Sequence, residues 1–200
     1  MFYIVHEFEQ KIANFYGAPY AVATDCCTHA IELCLHLTKP KDVRIPEHTY
    51  ISIPFTLMKL NLSWNWDDVK WMNFYKLGNT NIIDAAVYWK ENSYVPGSLM
   101  CLSFQFKKHL SLGRGGAILT DNKESYIKLK RMSYDGRDIT SNIPWTEQLI
   151  DEIGYHYYMT PETAQAGLNK LPYSIANKNP RQWDYTDYPY LPSLPVFKNV

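Results

Sequence analysis

The stretch Ser103-Phe-Gln-Phe-Lys-Lys-His-Leu-Ser-Leu-Gly-Arg-Gly-Gly116 constrains this chain more than any other. Leu99-Met-Cys-Leu102 before it is an apolar run of strand length that ends at the serine. Ala117-Ile-Leu-Thr120 after it is a second such run. The Gly-x-Gly-Gly turn between them lets the backbone take positive φ and pass close to other groups. Lys108 sits at the centre of the spacing Ser-x4-Lys-x4-Gly-x-Gly-Gly. A lysine held between two buried strands loses hydration, which favours its neutral, nucleophilic amine. The same spacing also suits a solvated turn lysine, and the hairpin alone leaves both readings open.

The rest of the chain alternates helix and strand patterns. Phe8, Ile12 and Phe15 recur at helical spacing, and Gly17 is the expected stop of a helix over 7–16. Tyr20-Ala-Val-Ala-Thr24 reads as a short buried strand, and Asp25-Cys-Cys-Thr28 as a tight turn into a helix. Such a turn offers free N–H groups and a positive dipole end to an anion. It also fits a plain helix cap made by Thr28 or Asp25. Strands are expected over 43–46 and 62–66, with an apolar helix over 51–60 between them. Asn81-Ile-Ile-Asp84 is a further strand that ends in a carboxylate. Ligands gather at the C-terminal ends of strands in open α/β sheets, so Asp84 is well placed for chemistry. Residues 67–80 carry no clear pattern. Asn122 to Met132 is an expected helix, and Thr160-Pro-Glu162 has the cap and first-turn order of another. From Pro172 onward, prolines and tyrosines dominate, which reads as an arm over 172–200 following a domain over 1–171.

Composition narrows the function classes. Twenty basic residues balance twenty acidic ones, so no electrostatic case exists for nucleic acid or an anionic membrane surface. The start has no basic n-region, and no apolar run is long enough to span a bilayer. Cys26, Cys27, Cys34 and Cys101 are not spaced as a metal site or disulfide framework, so no metal is expected. A reduced, cytoplasmic setting is the expectation. At 200 residues and 46% hydrophobic, the chain can bury one core.

Four stretches in this order resemble the DegT/DnrJ/EryC1/StrS sugar aminotransferases, pyridoxal-phosphate enzymes of the aspartate-aminotransferase fold. They are Phe8 to Leu37, Ile45-Pro-Glu-His-Thr-Tyr50, Ile83-Asp-Ala-Ala86, and the Ser103 to Gly116 stretch with Gly154-Tyr-His-Tyr-Tyr-Met-Thr160. The resemblance implies an α/β fold with a mostly parallel central sheet flanked by helices, and with the small C-terminal domain absent. It implies pyridoxal 5'-phosphate as cofactor, with Lys108 as the lysine that bonds to it and moves the proton. Asp84 would pair with the pyridine nitrogen. Cys27, Thr28 and His29 would hold the phosphate, with Ser103 adding a hydroxyl. Tyr50 would lie on one face of the ring and Ala86 on the other. His156 stands where the family has an asparagine that reaches the partner subunit's phosphate, so the resemblance implies a homodimer with shared active sites.

The chain also departs from the family pattern. Val87 replaces a Gln or His after Asp-Ala-Ala, Arg114 replaces the glutamate of Gly-Glu-Gly-Gly, and Asn-Tyr-Arg-Met is His156-Tyr-Tyr-Met159. The expected activity is amino transfer from an amino acid, glutamate above all, to a nucleotide-linked keto-sugar. Two other readings stand beside it. One is a sugar dehydratase, in which histidine replaces the lysine; here Lys108 keeps its register with Gly113 and His109 falls one residue late. The other is a non-catalytic descendant that binds cofactor or a partner chain, for which Val87 speaks.

Overall fold

The computed structural model of the chain describes residues 2–198. Helix α1 (Tyr3–Tyr16) turns Val5, Phe8, Ile12 and Phe15 inward at helical spacing and ends at Gly17, whose φ of 75° makes a left-handed cap. Strand β1 (Tyr20–Thr24), helix α2 (Cys27–Thr38) and strand β2 (Asp42–Pro46) follow. Helix α3 (Ser52–Lys59) and strand β3 (Ser63–Asp67) come next. The two-residue β4 (Tyr75–Lys76) precedes β5 (Ile82–Asp84), β6 (Leu99–Ser103) and β7 (Gly116–Thr120). Helices α4 (Lys123–Ser133) and α5 (Pro161–Ala176) complete the regular elements.

Five strands form one sheet in the order β1-β7-β6-β5-β4, and β2 pairs in parallel with β3 beside it. The central sheet is mixed rather than mostly parallel. Only β5 and β6 pair in parallel; β7 runs against both β6 and β1, and β4 runs against β5. The reason lies in the connections. The turn-rich segment between β6 and β7 folds the chain straight back, which yields an antiparallel pair.

The sheet is buried on both faces, and that explains why its strands read as unbroken apolar runs. Along β6, Met100 and Leu102 face one cluster with Phe8 and Ile12, while Leu99 and Cys101 face the other with Ile31 and Leu35. Alternation in β7 is the same: Ala117 and Leu119 join the first cluster and Ile118 the second. Helices α1 and α5 meet where Gly167 admits the Phe8 ring; a Cβ there would stand 2.5 Å from Phe8 Cε2. No helix among the described residues is long and apolar enough to cross a membrane.

One buried charge ties α1 to the sheet. Glu9 accepts from the Ala23 N–H at 2.7 Å and from Lys130 Nζ at 2.8 Å. Burial alone would raise its pKa, but Lys130, His6 and the Ala23 amide together hold it below the usual value. Its charge therefore contributes stability above the unfolded carboxylate pKa, and that contribution is lost as pH falls through the depressed folded value. Glu9→Ala leaves Lys130 and an amide unpaired and should cost about 3 kcal/mol. Urea unfolding should also show the variant with a weaker pH dependence in the acid range than the parent chain.

The C-terminal segment is not a free arm. Helix α5 continues through Pro172 to Ala176, past the expected boundary. The chain then folds back along residues 47–73. Asn73 donates its N–H to the Trp183 carbonyl at 2.8 Å, Tyr185 donates to Trp71 at 3.1 Å, and Leu191 donates to Glu47 at 2.9 Å. Leu191 and Phe197 are buried, Phe197 against Trp66 with ring centroids 5.3 Å apart. Aromatic side chains give this stretch enough apolar area to dock on the domain it leaves.

Candidate active site

Strands β5 and β6 run in parallel toward the same edge of the sheet, with Asp84 opposite Cys101 and Ser103 two residues farther along β6. Lys108 follows β6 in the turn before β7 and reaches back toward them. A cavity of about 180 Å³ opens at this edge. Cys27, Thr28, Tyr50, Asp84, Ala86, Ser103 and Lys108 all line it, so the residues that the sequence singled out converge there with two exceptions.

The first exception is His29, whose ring turns away to stack on Tyr157 at 3.7 Å and to bond Asp25 at 2.7 Å. Burial works against charging this imidazole, but Asp25 and Cys26 together outweigh it and raise its pKa to about 9. The second is His156, which is exposed and pairs with Asp135 at 3.1 Å, outside the cavity of its own chain.

At one end of the cavity lies the start of α2. Neither Thr28 nor Asp25 caps it: the N-cap is Cys26 in extended conformation, with no side-chain cap bond. Thr28 instead bonds Ser52 at 2.8 Å, and Asp25 holds His29 and Arg114. The first-turn amides are thus left to an anion. Gly116 explains part of the glycine turn. A Cβ on it would stand 2.5 Å from the Cys26 carbonyl carbon and 2.6 Å from the Cys27 nitrogen, so β7 can approach the cradle only without a side chain. Arg114 joins the same cradle, donating from Nη2 to Asp25 Oδ2 at 2.6 Å and from Nε to the Asp25 carbonyl at 3.3 Å. Asp25, Cys26 and His29 also bring donor atoms within 4.8 Å of one another. With Asp25 already ion-paired to Arg114 and His29, that group is a network of charges rather than a cation site.

Asp84 stands at the other end. It is buried, and it accepts from the Tyr75 hydroxyl at 2.7 Å and the Ala86 N–H at 2.9 Å. Burial raises its pKa; Tyr75, the Ala86 amide and Lys108 pull against that rise without cancelling it. A cation facing this carboxylate would restore its charge. Burial pushes the Lys108 ammonium down, and Asp84 and Cys27 only partly offset the push. The lysine is therefore nearer to a free amine than a surface lysine is, one of the two readings that the hairpin left open. Its Nζ lies 5.3 Å from the centre of the Trp183 ring. Tyr50, 59% exposed, offers an open aromatic face at the rim.

Sequence reading missed several wall residues, three of them aromatic. Trp71 and Tyr75 come from the segment without a clear pattern, and Tyr188 comes from the tail. Tyr75 also bonds Thr49, which makes a relay from Thr49 to Asp84. Tyr75→Phe removes the donor to Asp84 Oδ2 and should cost about 1–3 kcal/mol in stability, because a buried acceptor is left bare. Chemical denaturation of the variant measures it.

An amine with lowered pKa, a buried carboxylate across a cavity and an uncapped helix start at its end suit a phosphorylated carbonyl compound with a basic ring nitrogen. Such a layout suits the binding of an aldehyde cofactor. The chain belongs to the DegT/DnrJ/EryC1/StrS aminotransferase family, whose model matches residues 3–70 and 93–188. The family implies pyridoxal 5'-phosphate, and the residues present fit it: Lys108 for the aldehyde, Asp84 for the ring nitrogen, the Cys27–Thr28 turn and Ser103 for the phosphate.

A curated relative, UDP-4-amino-4,6-dideoxy-N-acetyl-beta-L-altrosamine transaminase of Campylobacter jejuni, is 29% identical over 105 residues. The match covers 50% of this chain and 27% of that protein. Among solved structures, AtS13 from Actinomadura melliaura superposes with a TM-score of 0.75 at 20% identity, covering 86% of this chain and 60% of that one. The sugar aminotransferase CalS13 from Micromonospora echinospora gives 0.74 at 16% identity, covering 86% and 61%. These likenesses establish the shared fold, and the chain spans only part of each relative.

Proposed function

We propose that the chain is a pyridoxal-phosphate-dependent aminotransferase that moves an amino group from an amino acid, glutamate first, to a nucleotide-linked keto-sugar. The observation that carries this reading is the pairing of Lys108 and Asp84 on one cavity that ends in the open amides of α2. The name of the Campylobacter relative, a transaminase of a UDP-linked amino sugar, supports the acceptor class.

When bound, the cofactor supplies an electron sink for the reacting carbon. The residues around it do the rest. Asp84, held by Tyr75 and the Ala86 amide, would pair with the ring nitrogen and favour its protonated form. Lys108, whose amine burial pushes toward the neutral form, would hold the aldehyde and would serve as the group that takes and returns the proton at the donor's Cα. The Cys27–Thr28 amides and Ser103 would hold the phosphate, with Arg114 adding positive charge beside them. Trp71 and Tyr188 line the same cavity and help exclude water.

His109 supports transamination over dehydration. Its Nε2 bonds the Ser174 carbonyl at 2.8 Å, and it is not part of the Lys108–Asp84 cavity wall. We also propose a homodimer with shared sites, in which exposed His156 reaches toward the partner's cofactor phosphate. A reducing, cytoplasmic setting fits buried Cys34 and Cys101, whose sulfurs lie 3.6 Å apart as free thiols. Glutamate added to the cofactor-loaded protein should convert the absorbance of the aldehyde form to that of the pyridoxamine form. No change with glutamate, glutamine, aspartate or alanine would leave binding without catalysis as the function.

A further inference from the structure

A second cavity lies behind the cofactor cavity. It has a volume of about 110 Å³ and shares Ala86, Val87, Ser103 and Lys108 with the first. Beyond it opens a third space of about 320 Å³, which shares Tyr88, Trp89, Pro180 and Arg181 with the second. The three adjoin one another in a row that starts at Lys108. Its charge is one-sided. Lys107, Lys108, His109 and Arg181 line the inner part, Lys90, Lys178 and Arg181 the outer, and neither wall contains an aspartate or glutamate.

Two of these cations come from the C-terminal segment, and one of them is firmly set. Arg181 lies over the Trp183 ring at 3.8 Å and is ion-paired to Asp187 through a single nitrogen, Nη2. A guanidinium carries five N–H donors, so stacking and one ion pair orient it while leaving donors for a ligand. Lys178 is only loosely paired, 3.9 Å from Glu91, with its side chain mostly exposed. Such a group is free to swing onto an arriving anion at little cost.

We propose that this row of spaces is the subsite for the acceptor's diphosphate, and that Lys178 and Arg181 of the C-terminal segment are its specificity-determining cations. The inference rests on the aminotransferase reading for its choice of acceptor. Several cations spread along two adjoining spaces exceed what one carboxylate needs, and they match an extended group with several charged oxygens. The smaller inner space beside Lys108 then suits the uncharged sugar ring, with Val87 as an apolar wall. The loss of a hydrogen-bonding residue at that position is thereby balanced by charge farther along the same row.

The test is calorimetric titration of the cofactor-loaded protein with UDP, pyrophosphate and glutarate, while the cofactor absorbance is followed. UDP and pyrophosphate should bind, more weakly at high salt, with the absorbance retained. Arg181→Gln and Lys178→Gln should each weaken UDP by about tenfold or more, because each removes a charge-assisted contact. Lys178 is exposed, so its variant folds even where Arg181→Gln loosens the tail. Three results would overturn the proposal: UDP affinity unchanged in both variants, glutarate binding as tightly as pyrophosphate with the same sensitivity, or UDP displacing the cofactor from the Thr28 cradle. Failure of the aminotransferase reading would look different. The protein would then take up no cofactor, and the UDP titration on the cofactor-free chain, with Thr28→Ala as the cradle control, would still test the subsite.

Discussion

Lys108→Ala should abolish amino transfer, with the rate down by about four orders of magnitude or more. On the proposed function, the variant removes both the amine that would bond the aldehyde and the base that would move the proton, and the neighbours supply no substitute. Lys107 lines the second cavity rather than the one between Asp84 and α2, and His109 is bonded to the Ser174 carbonyl. The fold should survive, because Lys108 makes no side-chain hydrogen bond within the described residues and only borders the core. Cofactor should still bind through the cradle, without a covalent link, and its absorbance should stay unchanged when glutamate is added. A single-turnover assay by absorbance checks this.

Asp84→Ala should lower the rate by about a hundredfold to a thousandfold, the scale of removing a preorganised electrostatic partner. It differs from the lysine variant in kind. Covalent attachment should persist, since Lys108 remains, while the proton on the ring nitrogen loses its counter-charge. The same substitution takes away the acceptor of the buried Tyr75 hydroxyl and leaves it with Thr49 alone. A stability loss should therefore accompany the kinetic one. Asp84→Asn separates the two: the amide keeps a partner for Tyr75 and restores most of the stability, yet the rate stays low because no charge faces the ring. Kinetics and urea unfolding on both variants make the comparison.

Much of this site is legible in the residues because it is built from local signals. Apolar runs bounded by a serine and a glycine turn mark β6, β7 and the Lys108 loop, and the strand ending in Asp84 is marked by the same logic. Phe8, Ile12 and Gly17 mark the body and the end of α1 because helical periodicity and a left-handed stop are properties of the sequence itself, whereas its start lies at Tyr3 rather than at residue 7. What was not legible depends on contacts made far along the chain. The start of α2 read from sequence as a helix capped by Thr28 or Asp25 ahead of an anion site; the cap is absent because Thr28 bonds Ser52 and Asp25 holds His29 and Arg114, which leaves the amides open. Strand β4 is two residues long and exists because Tyr75 and Lys76 pair with Ile83 and Asp84, so no periodicity could reveal it. The direction of β7 against β1 is likewise set by the sheet and not by either strand. A signal for the tail was present: Trp183, Tyr185, Tyr188 and Phe197 are too apolar for a solvated linker, and they cover the segment that holds Trp71 and Tyr75.

The central claim is that Lys108 is the residue that bonds the cofactor. Borohydride reduction of the pyridoxal-phosphate-loaded protein, followed by peptide mass mapping, tests it most directly. The account predicts one pyridoxyl group per chain, on Lys108. A label on Lys107, or on no lysine at all, would contradict it.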